Sequence, residues 1–275
     1  MAYVLSFIFN KQTNIAANKS TSIRIPSKKS HVNAPFLKSY PQSLVISFEV
    51  IKLKYFLYFI LFILGACIIS FLKVIAYDYP QIDVRRRSHC DFCGRILRWF
   101  EIIPVIGYFI VHGRCFHCKK QLDFWNPLLE FTGGLFLLLI GHFEDWSYIP
   151  IFIMLIILSF SDAFFGYIYP IFYLLSLPTI VLNFHQLHFL VALVIYLTLL
   201  LFGHRYPLGL GDIDVIALLS LILGLTFTLK IILLACGICL IVFLANKKRS
   251  FRFIPYLTIA TGIIYLISSF QLILR

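Results

Sequence analysis

Residues 54–76 read KYFLYFILFILGACIISFLKVIA. The stretch holds two lysines and no acid, and as a helix rising 1.5 Å per residue it spans about 30 Å of hydrocarbon. Further apolar runs follow near 127–143, 147–163, 167–184, 187–203, 213–229, 230–246 and 253–273. None alternates apolar and polar residues as the strands of a closed barrel do, so helices are expected. The whole chain agrees: 60% of its 275 residues are hydrophobic, 13% are charged and the mean hydropathy is +0.91. A soluble core needs no such apolar excess. The expected fold is an all-α polytopic membrane protein, a bundle of about eight transmembrane helices.

Charge sets the expected orientation. The net charge of +12 sits in short basic blocks beside apolar runs, which marks cytoplasmic loops rather than a nucleic-acid surface. The loop after the first run carries Arg85, Arg86, Arg87, Arg95, Arg98, Arg114, Lys119 and Lys120, so it is expected in the cytoplasm. Alternation then places HFEDW (142–146) outside and the end of the third run inside. GHRYPLGLGD (203–212) also falls inside. Residues 1–50 fit poorly, because with the start of the first helix they bring eight Lys or Arg against one Glu to the outer side. They read as a disordered extension or as residues upstream of the true translation start. The expected domains are therefore 1–50, a first helix at 51–76, a cytoplasmic domain at 77–126 and a membrane domain at 127–275.

The second domain contains Cys90-x2-Cys93, twenty-one residues, then Cys115-x2-Cys118. Two such knuckles bring four thiolates around one tetrahedral ion, and four cysteines leave no open coordination position. Structural zinc is the reading, and a reducing compartment disfavours disulfides. His89, His112 and His117 stand nearby as substitute ligands. Cys67, Cys236 and Cys239 lie in apolar runs and read as packing residues.

Only three acids follow Asp145: Asp162, Asp212 and Asp214. A carboxylate is costly at membrane depth and marks function by default. Asp212 opens a helix, where an N-cap role is the plain alternative. Asp162 sits near a helix end, where it opposes the dipole. The only cation near the 203–214 loop in sequence is Arg205. Asp214 lies about 200° around the helix from Asp212 and cannot face the same partner. A carboxyl pair at a wet membrane edge retains one proton and suits hydrolysis of a peptide bond without a covalent intermediate. Gly209 and Gly211 would let the backbone approach an extended substrate.

Together these segments resemble the type IV prepilin leader peptidases, intramembrane aspartic proteases bearing a G-x-G-D motif. RSHCDFCGRILRWFEIIPVIGYFIVHGRCFHCKKQLDFWNPLLEFTGG (87–134) resembles the family's cysteine-bearing amino-terminal domain, SDAFFGYIYP (161–170) the segment of the first catalytic aspartate and GLGD (209–212) that of the second. The resemblance runs from about residue 54 to the C-terminus and is closest to the competence-type branch, which serves a DNA-uptake pilus. It implies that Asp162 and Asp212 are the catalytic dyad and that Cys90, Cys93, Cys115 and Cys118 hold zinc. It also implies that the substrate is a prepilin or pseudopilin with a short basic leader, cut at the cytoplasmic face of the plasma membrane. Many members then methylate the new N-terminus with S-adenosylmethionine, and Glu130 is the candidate for that second site beside a plain interfacial role. Two positions depart from the family: Asp214 stands where many members have Lys, and Ile171 where many have an acid. The competing readings are a non-catalytic zinc-bearing scaffold of a secretion apparatus and a proton-relaying transporter.

Overall fold

The computed structural model describes residues 42–82, 87–205, 209–246 and 252–273. The chain divides into two units, Met1–Ser47 and Phe48–Arg275, and the cysteine cluster and the membrane aspartates both belong to the second. Residues 1–41 of the expected extension at 1–50 lie outside the described residues, and 42–50 are helical, so the first helix begins before the expected 51. Arg85 and Arg86 of the basic loop also lie outside the described residues.

Every regular element among the described residues is helical. Helix α1 is Gln42–Asp78, α2 is Ile106–Ile110, α3 is Trp125–Phe143 and α4 is Ile149–Phe165. A 3-10 segment, Pro170–Ser176, leads into α5, Leu177–Leu182. Then come α6 (Phe189–Arg205), α7 (Leu210–Leu223), α8 (Leu225–Asn246) and α9 (Phe253–Ile273). The eight apolar runs all appear as helical segments. Five of them, beginning at Ile51, Trp125, Trp146, Leu225 and Phe253, are long and apolar enough to cross a membrane.

Two run boundaries differ from those that hydropathy suggests. The run at 167–184 is not one helix. Pro170 and Pro178 each start a new short segment, because proline cannot donate to the preceding turn. The boundary expected between 229 and 230 falls instead at Gly224, whose φ of 78° ends the 14-residue α7. The Thr226–Thr228 stretch simply continues into α8, with Thr228 donating to the Gly224 carbonyl at 2.8 Å.

Helix α4 is the axis of the core. Met154, Leu155 and Leu158 on it are fully buried against Val215 and Leu219 of α7 and Leu257 and Ala260 of α9. Thr258 of α9 donates to the Leu155 carbonyl at 3.2 Å, which pins the two helices. Helix α1 joins through small residues on α3. A Cβ on Gly134 would stand 2.7 Å from the Phe62 carbonyl, and one on Gly65 2.6 Å from the Gly133 carbonyl. Helices meet this closely where lipid, not water, surrounds them. The outer faces agree: Leu190 is 80% and Leu201 75% exposed on α6, a helix with no buried residue. Such a surface is stable only against hydrocarbon.

Candidate functional site

Between α1 and α3 the chain folds into two similar knuckles. In the first, Cys90 N–H donates to the Arg95 carbonyl (2.9 Å) and Gly94 N–H returns to Cys90 (2.8 Å). In the second, Cys115 N–H donates to Lys120 (2.9 Å) and Lys119 N–H to Cys115 (3.0 Å). Gly94 and Lys119 therefore occupy the same position of the turn, with φ of 67° and 59°. That left-handed conformation is free for glycine and strained for lysine. Each knuckle is closed by a single bridge, His89 to Ile96 and Arg114 to Gln121.

The turns bring Cys90, Cys93, Cys115 and Cys118 together with all four Sγ atoms within 4.8 Å of one another, Cys90 and Cys118 at 4.0 Å. A tetrahedron with metal–sulfur bonds of about 2.3 Å has edges of about 3.8 Å, so the thiols fit a metal ion with little adjustment. The cluster consists of thiols alone. His89 turns its Nδ1 to the Arg87 carbonyl at 3.3 Å instead. Backbone N–H groups of Cys118 and His117 lower Cys115 to about 6. At Cys93 the Arg95 N–H pulls the same way, but desolvation and the three neighbouring thiols outweigh it and push the group up to about 11. Cys115 thus gives up its proton before Cys93 does, and a cation that binds the thiolates displaces the proton that remains.

Glu101 braces the first knuckle. Its carboxylate accepts from Arg95 Nη2 at 2.6 and 2.8 Å and from the Arg98 N–H at 2.6 Å, while Arg98 lies 4.5 Å over the Phe116 ring of the second. Glu130 joins this domain to α3 by accepting the Val105 N–H at 2.8 Å. Val105 has a φ of 61°, an outlier for a β-branched residue. The bond to Glu130 is what holds that conformation. Lys73 of α1 donates to Asn126 Oδ1 on α3.

The two membrane aspartates lie at the same end of the bundle. Asp162 lies in the last turn of α4, where the Gly166 N–H caps its carbonyl at 2.9 Å and Ser161 Oγ donates to the Tyr167 carbonyl at 2.8 Å. It is 8% exposed, and its Oδ2 is buried without a hydrogen-bond partner. Asp212 lies in the first turn of α7. Gly209 is the N-cap residue and no side chain caps this helix, so the capping role does not account for Asp212. Asp162 and Asp212 lie within range of each other's charge.

The glycines of the GLGD segment serve this placement. A Cβ on Gly209 would stand 2.9 Å from Asp212 Oδ2, and one on Gly211 would run into the side chain of Ile168. Each therefore has an occupant from this chain. Gly211 in particular lets the segment that follows Asp162 lie directly on the segment that carries Asp212. Tyr173 completes the contact by donating from its hydroxyl to the Gly211 carbonyl at 3.4 Å.

Sequence reasoning missed the nearby cation. Arg252, just before α9, is close enough to Asp162 for its charge to act on the carboxylate, and the Ile254 N–H is directed there too. The Arg252 Nε would be 3.8 Å from a Cβ on Gly166. Nothing in the sequence pairs two residues 90 positions apart. Asp214 lies about 200° around α7 from Asp212, although both stay within range of Tyr173. Asp214 lines a groove of about 500 Å³ between α6 and α7 with Phe189, Leu193 and Tyr196.

The profile of the family described as Bacterial Peptidase A24 N-terminal domain matches residues 63–143, the knuckles and α3 included. The chain is similar to a prepilin leader peptidase/N-methyltransferase of Myxococcus xanthus, 40% identical over 32% of this chain and 27% of that protein. A protein of the same name from Vibrio cholerae is 29% identical over 28% of this chain and 35% of its own length. The chain thus spans about a third or less of these two relatives. One from Neisseria gonorrhoeae is 27% identical over 74% of this chain and 88% of that protein, so this similarity runs well beyond residues 63–143. No solved structure matches the chain.

Proposed function

We propose, from the A24 peptidase amino-terminal domain at residues 63–143, that this chain is a membrane-embedded aspartic endopeptidase that removes the leader of a prepilin or pseudopilin. The observation that carries the reading is the approach of Asp162 and Asp212, fifty residues apart in sequence, within range of each other's charge at one end of the bundle. The names of its relatives supply the substrate class.

Two carboxyl groups that close do not both ionise readily. The ionised one takes a proton from a water molecule as its oxygen bonds to the scissile carbonyl carbon, and the protonated one gives its proton to the carbonyl oxygen. In the tetrahedral species that results, the C–N bond then breaks. The nitrogen takes a proton from one carboxyl group of the dyad while a hydroxyl on the tetrahedral carbon gives its proton to the other, the leader leaves with a new carboxyl group, and the mature chain begins with a free amine. The Arg252 guanidinium stabilises the negative charge on Asp162, and Ile168 on Gly211 fixes the spacing of the pair.

The site lies on the cytoplasmic side of the plasma membrane in this reading. The basic residues of the knuckle domain support that side, and Asp162 and Asp212 share it by the alternation of helices. The ion held by Cys90, Cys93, Cys115 and Cys118 is zinc. With four protein ligands it contributes folding energy to residues 77–126 and takes no part in hydrolysis. N-methylation of the new terminus, which the relatives' names include, would draw on S-adenosylmethionine. Glu130 is the candidate for that second site, with one carboxylate oxygen accepting the Val105 N–H.

The test is the intact mass of a prepilin co-produced with this chain. A product shortened by the leader, with or without a further methyl group, is the expected result. A prepilin of unchanged mass, with the chain present at normal level, overturns the reading.

A further inference from the structure

At the end of the bundle opposite Asp162 lies a cavity of about 410 Å³, within the range of small-ligand pockets. It lies beyond the N-terminus of α4. Asp162 is thirteen residues along that helix from Ile149, a separation of about 20 Å. The polar lining comes from Asp145, Tyr148, Gln186, His188, Tyr265 and Ser269, and an aliphatic floor from Ile222, Ile231 and Ile264. No lysine or arginine is among the lining residues. Asp145 brings the carboxylate, which accepts from Ser269 Oγ at 3.4 Å.

Tyr265 supplies the second observation. It is 7% exposed, and its buried hydroxyl makes no short hydrogen bond, only long contacts with Asp145 and Ser269. An unpaired hydroxyl costs free energy unless a ligand or water completes it. Its ring tilts against Tyr148 with centroids 5.4 Å apart, and both tyrosines lie within range of the Asp145 charge.

We propose that this cavity binds a primary ammonium group, the chemistry shared by an ethanolamine lipid head group and a free small amine. A carboxylate in a lining without lysine or arginine attracts a cation and disfavours a ligand that is anionic overall. One protein carboxylate is too few for a divalent metal, which takes several oxygen ligands. An –NH₃⁺ group brings three donors, and Asp145, Tyr265 and Gln186 among the lining residues offer oxygen acceptors. A quaternary ammonium brings none and leaves the Tyr265 hydroxyl unpaired. The aliphatic floor covers the stem that carries the amine. The site is independent of the dyad, so amine binding and prepilin cleavage fail separately.

The experiment is native mass spectrometry of the purified full-length chain with phosphatidylethanolamine, phosphatidylcholine or phosphatidylglycerol of matched acyl chains, and with free ethanolamine as competitor. The chain is expected to retain the ethanolamine lipid about tenfold over the other two, the value of one charge-assisted hydrogen bond. That preference is expected to vanish in Asp145→Asn and to fall in Tyr265→Phe, which keeps the ring and its packing. Displacement of the lipid by millimolar free ethanolamine assigns a soluble amine as the ligand, and persistence of the lipid assigns the head group. Equal retention of the three lipids by the wild type overturns the proposal. A preference intact in both variants, each melting within a few degrees of the wild type, does the same.

Discussion

Gly211 is the residue on which the proposed dyad turns, and Gly211→Ala is the perturbation that tests it. A Cβ there enters the side chain of Ile168, with Cδ1 the first atom met, Cγ1 at 3.2 Å and Cβ at 3.6 Å. Rotation of χ2 clears Cδ1 but leaves Cγ1 tight, and a β-branched residue has little freedom at χ1. Overpacking of this kind costs about 1–3 kcal/mol. The larger effect falls on geometry, because Ile168 follows Asp162 by six residues and any retreat of its segment shifts one carboxyl group from the other. A displacement of about 1 Å at reacting groups costs on the order of 100-fold in rate. Gly211→Ala is therefore expected to slow prepilin cleavage about 100-fold while lowering stability modestly. The assay pairs cleavage rate with thermal unfolding in detergent for Gly211→Ala, Ile168→Val and the double variant. Ile168→Val removes Cδ1 at a cost of about 0.5–1.5 kcal/mol. In the double variant it is expected to restore much of the rate, with a coupling of about 0.5–3 kcal/mol between the two positions. Full activity in Gly211→Ala, or strict additivity in the cycle, refutes the reasoning.

Three further outcomes are expected. Purified chain carries one zinc per molecule by elemental analysis, and Cys90→Ser lowers abundance more than specific activity, because a closed site supplies folding energy; normal abundance with lost cleavage contradicts this. Gly94→Ala has open space around it, yet at φ 67° it is expected to destabilise the zinc-loaded chain by about 1–2 kcal/mol in thermal unfolding. Arg252→Gln is expected to slow cleavage about tenfold without loss of protein, the effect of removing one charged neighbour from a carboxylate, and an unchanged rate removes Arg252 from the site.

The parts of this molecule that sequence exposes are those where chemistry is rare. Carboxylates are so costly in a membrane that Asp162 and Asp212 stand out unaided, and the paired C-x2-C spacing points to one cluster because a tetrahedral ion needs four ligands at one point. Arg252, Ile168 and Tyr173 were not legible. Arginine before a helix, isoleucine in a turn and tyrosine near an interface are ordinary residues until folding sets them beside an aspartate. Hydropathy located the apolar segments but misplaced two of their breaks. It registers Pro170, Pro178 and Gly224 as single weak residues, whereas the backbone treats them as stops. Lys119 has a related history: the first knuckle shows its left-handed turn by Gly94, and the second hides the same turn under a lysine.

If Asp162 and Asp212 work as one unit, each is indispensable to cleavage and Asp214 is not. Cleavage of a co-produced prepilin by Asp162→Asn, Asp212→Asn and Asp214→Asn decides this, with each variant's membrane level determined alongside. The first two are expected to abolish cleavage at normal abundance, whereas Asp214→Asn, whose carboxylate faces the α6–α7 groove, still cuts. Cleavage persisting in either of the first two, or lost only in the third, rules out the paired aspartates as the catalyst.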